Sequence, residues 1–233
     1  MNISNSKEPC RNLGKELLSD GNVLISGGTK TGKTAIIKNV LLAIQCRTPE
    51  EIQFHLIDSK KKQLHMFSAI PHCKGYTDTI NAEALAFLVK ASKLIKKRIH
   101  FFYNYNSKEC AFPCHYIIID ELSELLFSCN SEDAKDAIKY ILSKGPSVGV
   151  FLICSTIKPF DELLPMELLD GFKSRIIFHG FDPIVNMYLT DKPGYRAPNK
   201  KGYYLYRKDN DLFYGSFFST EKIYLPKINI LGD

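Results

Sequence analysis

Gly27-Gly28-Thr29-Lys30-Thr31-Gly32-Lys33-Thr34 follows directly on the apolar run Val23-Leu24-Ile25 and leads into a stretch of helical character from Thr34 to Ile44. The spacing is G-x-x-x-x-G-K-[ST], a phosphate-binding loop set between a strand and a helix. The glycines let the backbone fold back so that successive N–H groups point inward at a β-phosphate. Lys33 brings positive charge for the β- and γ-oxygens, and Thr34 offers a hydroxyl to Mg²⁺. The helix turns the positive end of its dipole toward the same anion. A structural turn with no ligand is the alternative, but the buried strand before and the apolar helix after are the context this chemistry needs. Gly27 to Thr34 is therefore the expected site for ATP with Mg²⁺.

A second stretch fits the first. Tyr116-Ile117-Ile118-Ile119-Asp120-Glu121 is an apolar strand ending in two carboxylates. Beside a phosphate loop, Asp120 at the strand tip accepts from a Mg²⁺-bound water, and Glu121 polarises the water that attacks the γ-phosphate. Taken alone, the pair would equally be a solvated loop start or a helix N-cap, since Leu122 onward looks helical. The upstream loop favours the catalytic reading, with Thr34 and Asp120 as the metal residues and Lys33, Asp120 and Glu121 as the catalytic set.

At 233 residues the chain suits one α/β domain over 1–233, large enough to bury a full core. Hydrophobic residues at 45 % and charged ones at 24 % exclude a disordered chain. No apolar run reaches the length of a membrane span, and Met1 to Arg11 lacks an apolar signal core. The expectation is a cytoplasmic protein with no direct membrane insertion. Seven cysteines without an export signal point to reduced thiols. A zinc site from Cys110, Cys114 and His115 with His72-Cys73 is a weak alternative, because the spacing is loose and Pro113 interrupts it; Cys154 reads as a small core residue. The net charge of +6 is compatible with a polyanionic partner and does not by itself identify one.

Apolar runs alternate with helical stretches. The expected strands are Val23–Ser26, Ile52–Ile57, Tyr116–Ile119, Val150–Cys154 and Arg175–Phe178; the expected helices are Thr34–Ile44, Ala82–Phe102, Ala134–Ser143 and Asp161–Leu169. Short apolar strands without polar alternation are buried on both faces, which implies a mostly parallel sheet flanked by helices. Ligand then sits at the carboxyl ends of the strands, where both motifs point. Residues 1–12 read as a polar N-terminal extension, Thr48–Glu51 as a turn and Asn104–Cys114 as a surface loop. The region 192–233 is turn-rich, and within it Tyr203–Tyr206 and Leu212–Gly215 read as an antiparallel hairpin at the sheet edge.

With these pieces in order, the chain resembles the motor domain of the FtsK/SpoIIIE family, ring-forming DNA translocases of the FtsK–HerA superfamily, from about Leu13 to Leu205. Ile57-Asp58-Ser59-Lys60, then Gln63-Leu64, then Ala69-Ile70-Pro71-His72 is similar to the family's Asp-Pro-Lys followed by Ile-Pro-His. Tyr76-Thr77-Asp78 looks like its Val-Thr-Asp, and Lys96-Lys97-Arg98 falls where the long helix carries Glu-Arg-Arg. Gly149 to Pro159 looks like the sensor strand that ends Ala-Thr-Gln-Arg-Pro, and Ser174-Arg175-Ile176-Ile177-Phe178 is similar to the Thr-Arg-Ile run. The resemblance implies a RecA-like P-loop NTPase fold. It further implies a Mg²⁺-dependent ATPase that translocates double-stranded DNA as a homo-oligomeric ring, a hexamer, with Thr156 as a sensor hydroxyl. A membrane-anchored or secretion-system partner protein is also compatible with it.

The departures from the family bear on mechanism. The sensor glutamine is Ile157, and its neighbouring arginine is Lys158, which keeps charge but loses the bidentate fork. Pro146 stands where an arginine reaches the neighbouring subunit's nucleotide, with Lys144 nearby; the late glycine-rich motif has become Gly194–Gly202. Such divergence suits outlying branches, including coupling ATPases of conjugative elements and type VII secretion ATPases. Two further functions follow as alternatives: a coupling ATPase acting on protein substrates, and a low-turnover nucleotide-binding assembly module. The family's membrane segments and winged-helix domain have no counterpart in the sequence, so the expectation is a stand-alone motor or a fragment of a longer protein.

Several residues carry two readings. Arg175 is a substitute trans-acting arginine or, more simply, a strand residue paired with Glu162 or Asp170. Arg98, with Lys93, Lys96 and Lys97, reads as a solvated face ahead of a phosphate contact. Lys60-Lys61-Lys62 touches DNA or is exposed loop, and Asp58 joins the Mg²⁺ surroundings or caps the next helix. The hairpin tyrosines stack on bases or, more commonly, cover a core. Thr156 is a sensor or a helix N-cap before Pro159.

Overall fold

The computed structural model describes residues 8–60, 64–80, 82–105, 112–128, 131–159, 164–217 and 219–224. A nine-stranded sheet organises them. Its strands are β1 (Val23–Ser26), β2 (Ile52–Asp58), β3 (Cys73–Thr77), β4 (Cys114–Asp120), β5 (Val150–Thr156), β6 (Ser174–Ile177), β7 (Tyr203–Lys208), β8 (Asp211–Ser216) and β9 (Ser219–Tyr224). The order across the sheet is β3-β2-β4-β5-β1-β6-β7-β8-β9. The first six in that order run parallel, and β7, β8 and β9 join antiparallel. This is the α/β, mostly parallel arrangement expected of a P-loop ATPase.

The continuous apolar runs have the physical cause the sequence implied. On β1, Leu24 faces one core while Val23 and Ile25 face the other; on β4, Ile117 and Ile119 face the first and Tyr116 and Ile118 the second. One layer contains α1 (Glu8–Asp20) and α2 (Lys33–Ile44), which contribute Leu17, Ile36, Val40 and Leu41. The opposite layer contains α3 (Ala82–Tyr105), α4 (Leu122–Ser128), α5 (Ser131–Lys144), α6 (Met166–Leu169) and α7 (Pro183–Thr190), with Leu88, Ile95, Leu125, Ile138 and Leu169 against the sheet.

Several boundaries differ from expectation. Helix α1 begins at Glu8, inside the stretch read as a polar extension. Strand β3 went unforeseen because Lys74 and Gly75 interrupt its apolar character. Helix α7 begins on an N-cap, Asp182, whose Oδ1 accepts from Val185 N at 2.9 Å, with Pro183 in the first turn; that pair is a recognised helix start. The hairpin of β7 and β8 forms as expected, but β9 pairs outside it and takes the edge. Of the helix expected over Asp161–Leu169, Met166–Leu169 is helical, while residues 161–163 lie outside the described part. Among the described residues, no helix is long and apolar enough to cross a membrane.

Candidate functional site

The loop between β1 and α2 folds back over the sheet. Gly32 takes φ 127° at the mouth of α2, a backbone conformation that suits glycine. A Cβ on Gly27 would lie 2.6 Å from Phe178 Cβ and 2.7 Å from Thr31 Oγ1, so the chain there has no room for a side chain. Gly27 N donates to Thr156 O (3.3 Å) and Gly28 N to His179 O (3.3 Å), tying the loop to the ends of β5 and β6. Thr31 Oγ1 donates to Gly28 O at 2.9 Å. The Lys33 ammonium is buried and donates to the carbonyls of Gly27 (2.8 Å) and Gly28 (2.9 Å), so it occupies the cradle where a phosphate would lie. Burial pulls its pKa below the ordinary lysine value, with Glu121 and Asp120 opposing that shift and Lys60 adding to it.

Parallel register assembles the acidic half of the site. β4 lies between β2 and β5, which places Asp58, Asp120 and Ser155 side by side at the strand tips. Asp120 Oδ1 accepts from Ser155 Oγ (2.9 Å), Thr34 Oγ1 (3.4 Å) and Lys60 Nζ (3.4 Å), while its Oδ2 is buried without a partner. Ser59 Oγ donates to Asp120 O at 2.5 Å. A fully buried carboxylate oxygen left unpaired beside a threonine hydroxyl fits a divalent cation or a water bound to one. Thr34 and Asp120 are the residues that would hold Mg²⁺. A cation held there would supply positive charge to offset that of a bound phosphate.

Glu121 is buried, with φ 101°. It lines a cavity of about 530 Å³ together with Lys30, Lys33, Thr34, Lys60 and Ile157. The structure thus brings together Thr29, Lys30, Gly32, Lys33, Thr34 and Glu121 around one space, with Asp120 behind Thr34. Thr156 is placed differently. Its Oγ1 accepts from Lys158 N (3.1 Å) and donates to Lys158 O (3.2 Å), so the hydroxyl is spent on its own turn while its carbonyl holds Gly27.

Other residues settle into structural roles. Arg98 is buried, a correction to the solvated-face reading: Nη1 donates to Val148 O (2.8 Å) and Gly149 O (3.2 Å), and Nη2 to Pro113 O (2.8 Å). Arg175 is also buried. It donates to the carbonyls of Leu169, Phe172, Tyr188 and Leu189 and pairs with Asp191 and, at 3.7 Å, with the expected Asp170, and burial brings its pKa down to about 10. Glu162, its other expected partner, lies outside the described residues, as do Cys110, Lys61 and Lys62. Lys60 turns to Asp120. Asp58 Oδ2 accepts from Leu64 N (3.1 Å) and Tyr76 Oη (3.4 Å), holding the turn after β2, and its Oδ1 is buried without a partner. Tyr204 and Tyr206 lie in the core. His115 and His55 bond to each other at 2.8 Å. Pro146 opens a single helical turn before β5, at the end of the sheet away from the phosphate loop. Arg196 is exposed and lines a second cavity, of about 590 Å³, with His179, Gly180, Asn199 and Tyr214.

No local pattern marks Ser155 and Ser123, which donate to the carboxylates of Asp120 and Glu121, or Ser59, which donates to the main-chain carbonyl of Asp120.

This fold and this loop define a P-loop NTPase. A sequence profile of the FtsK/SpoIIIE family matches residues 2–117, and the chain belongs to that family. DNA translocase FtsK of Chlamydia pneumoniae is 30 % identical over 207 residues, covering 78 % of this chain and 25 % of the relative. The chain therefore spans about a quarter of the length of that protein. Among solved structures, the pCW3 conjugation coupling protein TcpA with ATPγS superposes with a TM-score of 0.74 at 15 % identity, over 88 % of this chain and 62 % of that one. The cytoplasmic domain of the Thermomonospora curvata type VII secretion ATPase EccC gives 0.69 at 19 % identity, over 84 % and 25 %. These two share the fold.

Proposed function

We propose that this domain is a Mg²⁺-dependent ATPase that couples hydrolysis to movement of double-stranded DNA, assembled as a homo-oligomeric ring. The observation that carries the ATPase half is Asp120: three donors converge on one oxygen while the other is buried and unpaired next to Thr34. In this reading the loop amides and Lys33 bind the β- and γ-phosphates, Thr34 and Asp120 hold the metal, and Glu121 orients the attacking water. DNA as the substrate is supported by the FtsK relatives, of which the chain spans about a quarter of the length.

The test is ATPase rate with and without double-stranded DNA, at several protein and salt concentrations. The expected result is stimulation by DNA that weakens with salt and steepens with protein concentration. A rate indifferent to DNA at every salt concentration removes the translocase half.

One observation favours a second reading, a coupling ATPase for protein substrates with low turnover on its own. Pro146 stands where the family carries its trans-acting arginine, and of the described arginine side chains Arg98, Arg175 and Arg207 are buried, Arg47 pairs with Glu51 and Arg196 is exposed beside the second cavity. An arginine supplied in trans can be worth about 10³–10⁵ in rate. Stimulation by a partner protein in place of DNA would select this reading.

A further inference from the structure

Glu121 sits at the junction between β4 and α4, where a carboxylate commonly caps the helix by accepting from amides of the first turn. Here it does something else. Its Oε1 accepts from the hydroxyl of Ser123 at 2.7 Å and from the main-chain amide of Ile157 at 2.9 Å, on the turn after β5. The left-handed backbone at Glu121 (φ 101°) is a conformation a non-glycine residue holds only when its surroundings demand it. It belongs to the turn from which the carboxylate reaches across to β5. Ser123 is itself buried, so its hydroxyl has been withdrawn from water and committed to this bond. The other carboxylate oxygen, Oε2, is buried with no partner, and Glu121 lines the cavity that Lys33 and Thr34 share.

We infer that Ser123 and the amide of Ile157 are positioning groups for the water-activating glutamate. They hold Oε1 so that Oε2 remains the free acceptor. The inference rests on the ATPase reading above. In the step it serves, the water oxygen bonds to the γ-phosphorus while the bond from that phosphorus to the bridging oxygen breaks, and ADP leaves with the electron pair. The water proton passes to Glu121 Oε2 and from there to phosphate or solvent. Isoleucine at 157 has no side-chain group for this work, but its main-chain amide does not depend on the side chain, and the hydroxyl of Ser123 supplies the second donor. A carboxylate bonded twice through one oxygen has lost the freedom to rotate, and restricted orientation is the contribution such contacts make to rate. Ser123 is not among the residues that line the cavity, and its effect passes through Glu121.

The experiment compares Ser123→Ala, Ser123→Thr and Glu121→Gln in the full chain. It reads kcat and KM for MgATP, affinity for a non-hydrolysable ATP analogue, and the thermal midpoint. Ser123→Ala is expected to lower kcat about 10-fold, with KM and analogue affinity within about twofold of the parent, and Ser123→Thr to restore most of the rate. In the Glu121→Gln background, Ser123→Ala is expected to cost nothing more, because the group it positions is gone. Ser123→Ala turning over at the parent rate overturns the inference. So does loss of analogue affinity in step with kcat, or a further loss in the Glu121→Gln background. If Ser123→Ala does not fold, Ser123→Thr and Ser123→Cys decide by the same criterion, the first retaining rate and the second losing it. Failure of the ATPase reading looks different: the parent would not hydrolyse ATP, or Glu121→Gln would leave its rate intact.

Discussion

The two ends of the parallel sheet are built on opposite terms. At the end where the strands begin, Arg98 is buried and bonded to carbonyls at the starts of β4 and β5, and Arg175 grips carbonyls at the ends of α6 and α7. At the end where the strands finish, Asp58 Oδ1, Asp120 Oδ2 and Glu121 Oε2 are buried without partners. There the one lysine in the phosphate cradle bonds to its own loop, and Glu121 sits in a left-handed backbone conformation. Buried polar groups are nearly always satisfied, so three unmet carboxylate oxygens at neighbouring strand tips support the binding site proposed there. The arginines at one end tie the fold together; the carboxylates at the other are the proposed ligand site.

That division is broken most decisively by Lys33→Ala. Its ammonium serves the cradle, so turnover should fall by about 10³ or more, while the urea midpoint should fall less than for Arg98→Met, because Gly28 O keeps the hydroxyl of Thr31 and only Gly27 O loses its donor. A large loss of stability together with the rate would mean the loop is structural. Next in size is Arg98→Met, which takes the donor from the carbonyls of Val148 and Pro113, while Gly149 O keeps the amide of His115, and should cost about 2–4 kcal/mol in urea unfolding. ATP-analogue affinity per folded molecule should be unchanged, and a matching loss of affinity would show that the two ends are not separable.

The smallest effect comes from the hydrogen-bonded pair His55 and His115, the second of them buried at the start of β4. Burial holds His115 down to about 3 and His55 down to about 4, both below the 6.5 of an ordinary histidine. As pH falls below 6.5 the unfolded chain takes up protons that the folded rings refuse. Stability is therefore full above that value and declines beneath it until the folded rings protonate. The slope is at most about 1.4 kcal/mol per pH unit for each ring, and less for His55, which is half-buried. Urea midpoints between pH 7 and pH 5, above the range where most carboxylates titrate, check it. A flat profile would show that the pair accepts a proton in place.

What could be read from the sequence, and what could not, follows the same line. The phosphate loop was legible because its geometry is local: eight consecutive residues set both the glycine conformations and the lysine. The apolar strands were legible because both faces are covered. Arg98 was misjudged because Lys93, Lys96 and Lys97 beside it are exposed, although Ala91, Ile95 and Arg98 share one helical face and it is the buried one. Thr156 reads as a sensor or a helix N-cap by position; the structure spends its hydroxyl on the main chain of Lys158 two residues on. Ser59 and Ser155 meet Asp120 through the register of three strands brought together from distant parts of the chain, and no local pattern announces such a meeting.

The account stands most directly on a crystal structure with Mg²⁺ and a non-hydrolysable ATP analogue. The expected result is a triphosphate lying along Gly28 to Thr34, with Lys33 Nζ released from the carbonyls of Gly27 and Gly28 and a metal between Thr34 and Asp120. A cradle still closed on Lys33, with Asp120 Oδ2 and Glu121 Oε2 still unpartnered at saturating analogue, would contradict it.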